Sequence, residues 1–331
     1  MGNSLKSFKR QPHSVAYKRP ISVSGTYMFF RCTLLVLHVN LHEKFEAEND
    51  NLKVFSFTEL KKATKNFREC RVVDGDDRSS RKFYKGYIDE YVPSRTVTGI
   101  TVSVLDVGSS FPLQDREISK VSPFEQVQSL GQIIHPNVVK FLGYCCEDDK
   151  IHFLVFEYFH KGSLDRHIYG KEEEPLPWEI RVKIAIGVAR GVEFIHFIKN
   201  KPLFRKLRMY NIMHDEQYNA KLFYLESNQE DACRLIGGLE YEPPEYVQCR
   251  LDLKSDVFTL GVILLDLVTG SKDTIRKERR KSIATTRPSL LCDNQKIREI
   301  IDPRLRNDYP VNDVKEMGIL IQRCTKWDKN E

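Results

Sequence analysis

A phosphate-binding loop is the first chemistry to test, and the candidate segment is VVDGDDRSSRKFYKG, residues 72–86. Glycine serves in such loops because its missing side chain lets backbone N–H groups approach the phosphates. Gly75 has no partner glycines at GxGxxG spacing, and Asp76 and Asp77 would repel an anion. The missing glycines and the two aspartates therefore predict that this segment does not bind phosphate.

Metal and disulfide chemistry is equally unsupported. The eight cysteines include one adjacent pair, Cys145 and Cys146, and no CxxC pair at zinc-site spacing. Because no secretory signal accompanies them, they are interpreted as reduced thiols in a cytosolic protein. We expect no metal site and no cofactor.

The composition predicts a globular protein. The 331 residues are 41% hydrophobic and 30% charged, which is enough apolar material for one large domain or two ordinary ones. A formal net charge of +6 is mild, so no nucleic-acid partner is expected. A mean hydropathy of -0.43 indicates against a polytopic membrane protein.

The N-terminal residues suggest an association with a membrane surface. Gly2 is a lipidation candidate, although the myristoylation pattern prefers Ser or Thr at the position of Lys6. Five basic residues would supply the second signal for an anionic membrane: Lys6, Lys9, Arg10, Lys18 and Arg19. The alternatives are a solvated tail, or anchoring by the apolar run at 26–41, which is too short and too charged to favour a spanning helix.

The elements that must position any site follow in a clear order. Alternation predicts strands at 83–88 and 99–107 and a strand pair at 138–143 and 151–158. Helical periodicity predicts a helix over 59–67 and two long helices at 181–198 and 255–269, the second ended by Gly270. Strands followed by helices predict an α+β chain with a small β-rich lobe and a larger helical lobe.

Several segments together resemble plant receptor-like cytoplasmic kinases, members of the protein kinase superfamily. They are NLKVFSFTELKKATKNF, HPNVVKFLGYCCEDDKIHFLVFEYFHKGSLDRHIY, YNAKL, PPEY, LDLKSDVFTLGVILLDLVTG and IIDPRL. The resemblance covers residues 51–326 and implies a bilobal kinase fold. Function is a separate question, because a fold does not determine chemistry.

The resemblance places side chains where phosphoryl transfer needs other residues. The three loop glycines fall on Asp76, Arg78 and Arg81, so each family glycine is replaced. Leu105 stands where a lysine would grip the phosphates, and Gln126 stands at its glutamate partner. Nucleotide binding is therefore not expected.

The catalytic and metal-binding positions are also altered. Lys206 replaces the aspartate that accepts the substrate proton, and loss of a general base typically costs about 10²–10⁴-fold. Tyr224 replaces the metal-binding aspartate of the family's D-F-G motif. Asn211 is retained, yet one amide is a poor magnesium site without a carboxylate. No catalytic residue and no metal ligand set remains.

The framework positions match the family. Asp256 and Gly261 stand on the long buried helix, where the family's aspartate ties down the catalytic loop. Phe83 replaces a smaller valine at the nucleobase pocket and is expected to fill it. The regulatory-spine positions remain apolar: Leu130, Phe141, Phe204 and Leu225.

The domain organisation follows from the resemblance. Residues 1–50 are a basic tail with an apolar segment and an acidic linker, 51–155 the N-lobe with its preceding helix, and 156–331 the C-lobe. The family's final helix has no counterpart, so the C-lobe is expected to be truncated and Glu245 to lack its arginine partner.

The sequence is therefore identified as a pseudokinase, and we expect it in the cytoplasm, with the plasma membrane as an additional location. The resemblance implies a decoy, adaptor or scaffold that binds active kinases or receptors. The enzyme alternative is a residual serine/threonine kinase that uses a relocated lysine, Lys82 or Lys85. A decayed gene product without a role is the third interpretation.

Overall fold

The computed structural model describes residues 52–74, 80–91, 97–107, 123–148, 150–170, 174–200, 203, 207–225, 252–271 and 300–325. Several positions singled out in the sequence lie outside these residues: Gly2, segment 26–41, Asp76, Arg78, Phe204, Lys206 and Glu245. Residues 51–331 form one compact unit.

The first half of this unit is built on a six-stranded sheet. Its strands are β1 (Lys53–Phe55), β2 (Cys70–Asp74), β3 (Ser80–Tyr91), β4 (Val97–Asp106), β5 (Phe141–Glu147) and β6 (Lys150–Glu157). The order is β1-β5-β6-β4-β3-β2, and only the β1–β5 pair is parallel among these neighbours. Helices α1 (Phe57–Ala63) and α2 (Pro123–Gly131) accompany the sheet. This is the predicted β-rich lobe.

The helix predicted over 59–67 is shorter than its periodicity suggested. It ends at Ala63, and Lys65, Asn66 and Phe67 take the left-handed conformation, with φ values of 50°, 63° and 56°. The Thr64 hydroxyl accepts the N–H of Phe67 at 3.0 Å, which stabilises this turn. Phe67 still reaches the core, where its ring stacks on Phe153 at 5.0 Å.

The strand predicted at 138–143 also begins later, at Phe141. The preceding valines pair with the other half of the unit instead of with the sheet. The N–H of Val139 donates to the carbonyl of Leu222 at 3.0 Å, and Val138 forms an isolated bridge to the same residue. Sequence alternation does not distinguish these two pairing partners.

The second half is mainly helical. Its elements are β7 (Gly162–Ser163), α3 (Leu164–Tyr169), α4 (Trp178–Lys199), β8 (Ile212–His214), β9 (Ala220–Leu222), α5 (Leu253–Thr269) and α6 (Val311–Thr325). Two single-turn 3₁₀ helices, Met209–Asn211 and Pro303–Leu305, complete the described part. The two long helices predicted from periodicity, α4 and α5, are confirmed within a few residues.

Helix α5 is the central support of this lobe. Asp252 caps its N-terminus through Ser255, and Gly270 ends it at φ 66°. The buried Asp256 carboxylate accepts the N–H of Leu203 at 2.6 Å and bonds His196 Nε2 at 2.7 Å. A carboxylate on α5 therefore holds the chain that leads into residues 207–211.

A buried ion pair fastens the IIDPRL segment to the lobe. Arg181 on α4 donates to the carbonyls of Leu176 and Leu267 at 2.8 and 2.7 Å, and to the Asp302 carboxylate at 2.6 Å. Arg181 and Asp302 are each about 2% exposed. Burial lowers the pKa of Arg181, and the bond to Asp302 offsets part of that shift. The guanidinium thus joins α4, α5 and the start of the second 3₁₀ helix.

The folded unit is expected to lose stability in mild acid. Burial, reinforced by His167, lowers the pKa of His214 from 6.5 to about 3. Burial, with Arg190 and Lys221 adding to it, lowers the pKa of His135 to about 4. Because the unfolded imidazoles bind protons near pH 6.5 and the folded ones do not, this stabilisation is complete above pH 6.5 and declines below it, by up to about 1.4 kcal/mol per pH unit for each histidine.

Denaturant titration between pH 7.5 and 5 measures this decline. His214→Leu should flatten the profile, because it removes the imidazole with the more strongly lowered pKa. His160→Gln, which changes an exposed ring, serves as the control. A His214→Leu profile parallel to that of the wild type would contradict the assignment.

Candidate functional site

The candidate site is the cleft between the underside of β3 and β4 and residues 207–225. On its inner side, Phe83 is 3% exposed and pairs across the sheet with Leu105. Its ring meets Phe159 edge-on at 5.5 Å and Phe223 at 5.3 Å. Phenylalanine from β3 therefore reaches both the segment after β6 and the segment after β9.

A fourth ring completes this group, which we call the aromatic plug: Phe83, Phe156, Phe159 and Phe223. Phe156 meets Phe223 at a centroid distance of 5.0 Å. All four side chains are at most 4% exposed. The kinase resemblance places Phe83 of this plug at the nucleobase pocket, and its ring contacts pack it against Phe159 and Phe223.

Arg81 extends across the opposite, phosphate-facing part of the cleft. Its Nη2 donates a hydrogen bond to Oδ1 of Asn211. Its guanidinium carbon lies 5.1 Å from the centroid of Phe223 and 5.7 Å from that of Tyr210. These contacts join strand β3 to the 3₁₀ turn Met209–Asn211, which carries the retained amide.

The consequence for metal binding is direct. A divalent cation would coordinate Asn211 through the same Oδ1 atom that accepts the Arg81 proton. A permanently charged guanidinium beside that atom repels a second cation. Arg81, which the sequence analysis treated only as a lost glycine, thus engages the amide oxygen that a metal ion would need.

The lysine–glutamate positions lie in apolar and neutral surroundings. Leu105 is 1% exposed and sits in β4 between Phe83 on one neighbouring strand and Leu154 on the other. Gln126 lies on α2 and is 6% exposed. Neither position carries a charge, so neither holds a buried ion without its partner.

The segment after β9 carries the remaining altered position. Tyr224 is partly exposed, whereas its neighbours Phe223 and Leu225 are buried. The described regulatory-spine residues Leu130, Phe141 and Leu225 are 5%, 6% and 4% exposed. Apolar packing is therefore retained beside the altered polar position.

The relocated-lysine alternative gains no support from the geometry. Lys85 points to the outer end of the cleft, where its ammonium lies 5.3 Å from the ring centroid of Tyr158 and 3.9 Å from Glu69. Lys82 is exposed and follows the opposite face of β3 from Arg81 and Phe83. Arg81 is the cation that reaches Asn211 in the described part of the cleft.

Sequence reasoning missed Phe156, Phe159 and Phe223 as parts of one plug. One signal was available in the sequence: two of these aromatic residues lie at and just after the end of β6, and the third directly precedes Tyr224. It also missed the contact between Arg81 and Asn211, which are 130 residues apart. Among the described residues, no cluster of three or more His, Cys, Asp or Glu side chains suits a metal ion.

Comparison with known proteins places the chain in context. A family model described as protein kinase domain matches residues 113–331. The inactive serine/threonine-protein kinase BKN1 of Arabidopsis thaliana is 52% identical over 98% of this chain and 92% of its own length. The inactive kinase BKN2 of the same plant is 49% identical over 99% and 94%. The probable serine/threonine-protein kinase PBL16, also from Arabidopsis thaliana, is 36% identical over 82% and 68%.

Proposed function

Since this chain belongs to the protein kinase family and is a pseudokinase within it, we propose that it acts in plant kinase signalling as a non-catalytic interaction module. The observation that carries the proposal is the contact of Arg81 with Asn211, which puts a protein cation at the retained metal-ligand position. The aromatic plug occupies the other end of the cleft. The chain fills the nucleotide site with its own residues.

A buried framework supports the interaction role. Asp256 still holds the chain at Leu203, and Gly261 lets α5 approach α6 so closely that an added Cβ would lie 2.7 Å from Cys324. A lobe that keeps these contacts while its chemistry is replaced is suited to presenting a surface. The proposed partners are active kinases or receptors, including immune receptors.

A place at the plasma membrane is part of the proposal. The support is Gly2 as a lipidation candidate together with the basic residues of the first twenty positions. None of the described helices is both long enough and apolar enough to cross a bilayer. Attachment to an anionic surface would keep the module beside membrane-bound receptors.

We expect no binding of ATP·Mg²⁺. Millimolar nucleotide with magnesium should leave the melting temperature unchanged, whereas a ligand present at 100 times its Kd would stabilise the fold by about 2.7 kcal/mol. Differential scanning fluorimetry measures this result.

The Lys206→Asp variant should also show no phosphotransfer, because the catalytic groups act as a unit and the other replacements persist. Transfer of a radiolabelled phosphate measures this result.

A clear upward shift with ATP·Mg²⁺, or label transfer above background by Lys206→Asp, would favour the residual-kinase alternative. The interaction role itself is tested by capture on the full chain from plant membranes, followed by reconstitution. A captured kinase should change its autophosphorylation rate when the purified chain is added. If the autophosphorylation rates of the purified partners do not change when the chain is added, the proposal is contradicted.

A further inference from the structure

A second recess, with a positively charged rim, lies beside the β-rich lobe. It has a volume of about 360 Å³ and lies between the start of β2, strand β3 and the segment that follows β6. We call that segment the hinge and the recess the hinge-side cleft. Phe83, Tyr158 and Phe159 supply aromatic walls. The volume falls within the range of small-molecule sites.

The rim of the hinge-side cleft carries an excess of positive charge. Arg68, Arg71 and Lys85 line it, and Glu69 is the single acidic residue among its lining side chains. The Lys85–Glu69 pair is long, at 3.9 Å, with both side chains about half exposed or more, at 47% and 61%. Within the described part of the chain, neither arginine pairs with a carboxylate. The cleft therefore offers unneutralised donors to an anion.

Arg71 is held in position before any ligand arrives. Its Nη1 donates to the carbonyl of Phe159 at 3.2 Å. Gly162 has a φ of 78°, and a Cβ there would lie only 2.7 Å from the same Nη1 atom. Because one nitrogen is engaged by the backbone, the rest of the planar guanidinium is presented in a defined orientation, which suits a carboxylate or phosphate.

One polar side chain also lines this cleft. Ser103 is 3% exposed as a residue, and its hydroxyl forms no hydrogen bond with any other described residue. The hydroxyl can both donate and accept, so it is available to a polar group on a bound ligand.

We propose that the hinge-side cleft binds an aryl anion, an aromatic ring bearing a phosphate or carboxylate group. The ring packs against Tyr158, a lining aromatic residue outside the plug, and the anionic group bonds Arg71 and Lys85. This site goes beyond the proposed interaction role, and its anion-binding end lies on the hinge side, away from Arg81 and Asn211. The ligand is either a free small molecule or a phosphotyrosyl side chain of a protein.

Alkylation of Cys70 provides the readout, because this exposed thiol also lines the cleft. The full chain is treated with iodoacetamide with and without 10 mM phenyl phosphate, and labelling is followed by peptide mass spectrometry, with Cys146 as the internal reference. A ligand of this size is expected to bind with a Kd of about 1 mM. Cys70 labelling should then slow about tenfold.

Phenol and inorganic phosphate, each at 10 mM, should give little protection, because each lacks one half of the recognised group. Arg71→Gln, Lys85→Gln and Ser103→Ala should each weaken protection by phenyl phosphate. Lys82→Gln also removes one positive charge from strand β3, but at a position outside the cleft. Phenyl phosphate should still protect Cys70 in this variant. Undiminished protection in Arg71→Gln and Lys85→Gln, or no protection in the wild type, would overturn the proposal.

A blocked five-residue phosphotyrosine peptide distinguishes the two sources. Protection by the peptide at a concentration tenfold lower than that of phenyl phosphate would assign the site to a partner's phosphotyrosine. Protection by phenyl phosphate but not by the peptide would assign it to a free small molecule. The assay contains no nucleotide, so its failure leaves the melting-temperature test of the proposed function unaffected.

Discussion

Replacing Arg181 with leucine is expected to lower the free energy of unfolding by about 3–5 kcal/mol, the usual cost of removing one member of a buried ion pair. The change leaves the Asp302 carboxylate, which is 2% exposed, with Arg304 as its remaining charged partner among the described residues. It also removes the donors to the carbonyls of Leu176 and Leu267. The loss should therefore loosen α4, α5 and the IIDPRL segment together.

Urea or guanidinium denaturation measures this effect. The matched control is Arg304→Gln, because Arg304 bonds the same carboxylate but is 30% exposed. That change leaves Arg181 bonded to the carboxylate and should cost less than Arg181→Leu, because the Arg304 side chain is partly solvated. A similar loss in the two variants would show that Arg181 has no special role.

Replacing Phe223 with alanine is expected to cost about 3–5 kcal/mol, the range for truncating a buried phenylalanine. The change removes the ring that contacts Phe83, Phe156 and Phe159 and carries the Arg81 guanidinium on its face. It leaves a cavity in the aromatic plug. The same denaturation experiment measures the loss.

Phe197→Ala is the control, because Phe197 on α4 is 52% exposed and its truncation should change stability far less. The Phe223→Ala variant should still show no melting-temperature shift with ATP·Mg²⁺. Arg81 remains bonded to Asn211, and Leu105 and Tyr224 remain in place, so space alone does not restore phosphate or metal contacts. A nucleotide-dependent shift in this variant would mean that the plug is the sole obstacle.

Much of the fold was predictable from local pattern. Helices α4 and α5 carry uninterrupted apolar periodicity, and Gly270 gives an unambiguous end to the second. The β3–β4 hairpin follows from alternation on either side of a turn. Predictions were wrong where tertiary contacts outweighed the pattern: α1 ends four residues early, at Ala63, and β5 begins three residues late, at Phe141.

The sequence alone also predicts which catalytic side chains are replaced. Once the kinase resemblance assigns the positions, the residue types of Leu105, Lys206 and Tyr224 are enough to predict the loss of a lysine, a base and a metal-binding carboxylate. The 52% and 49% identities to kinases named inactive agree with that conclusion.

Only the tertiary structure decided what occupies the cleft instead. Arg81 and Asn211 are 130 residues apart, and Arg181 and Asp302 are 121 residues apart. No periodicity links such positions, because the pairing depends on how strands and helices pack and on which rotamers that packing leaves. The identity of each side chain is local information, whereas its partner is a property of the folded chain.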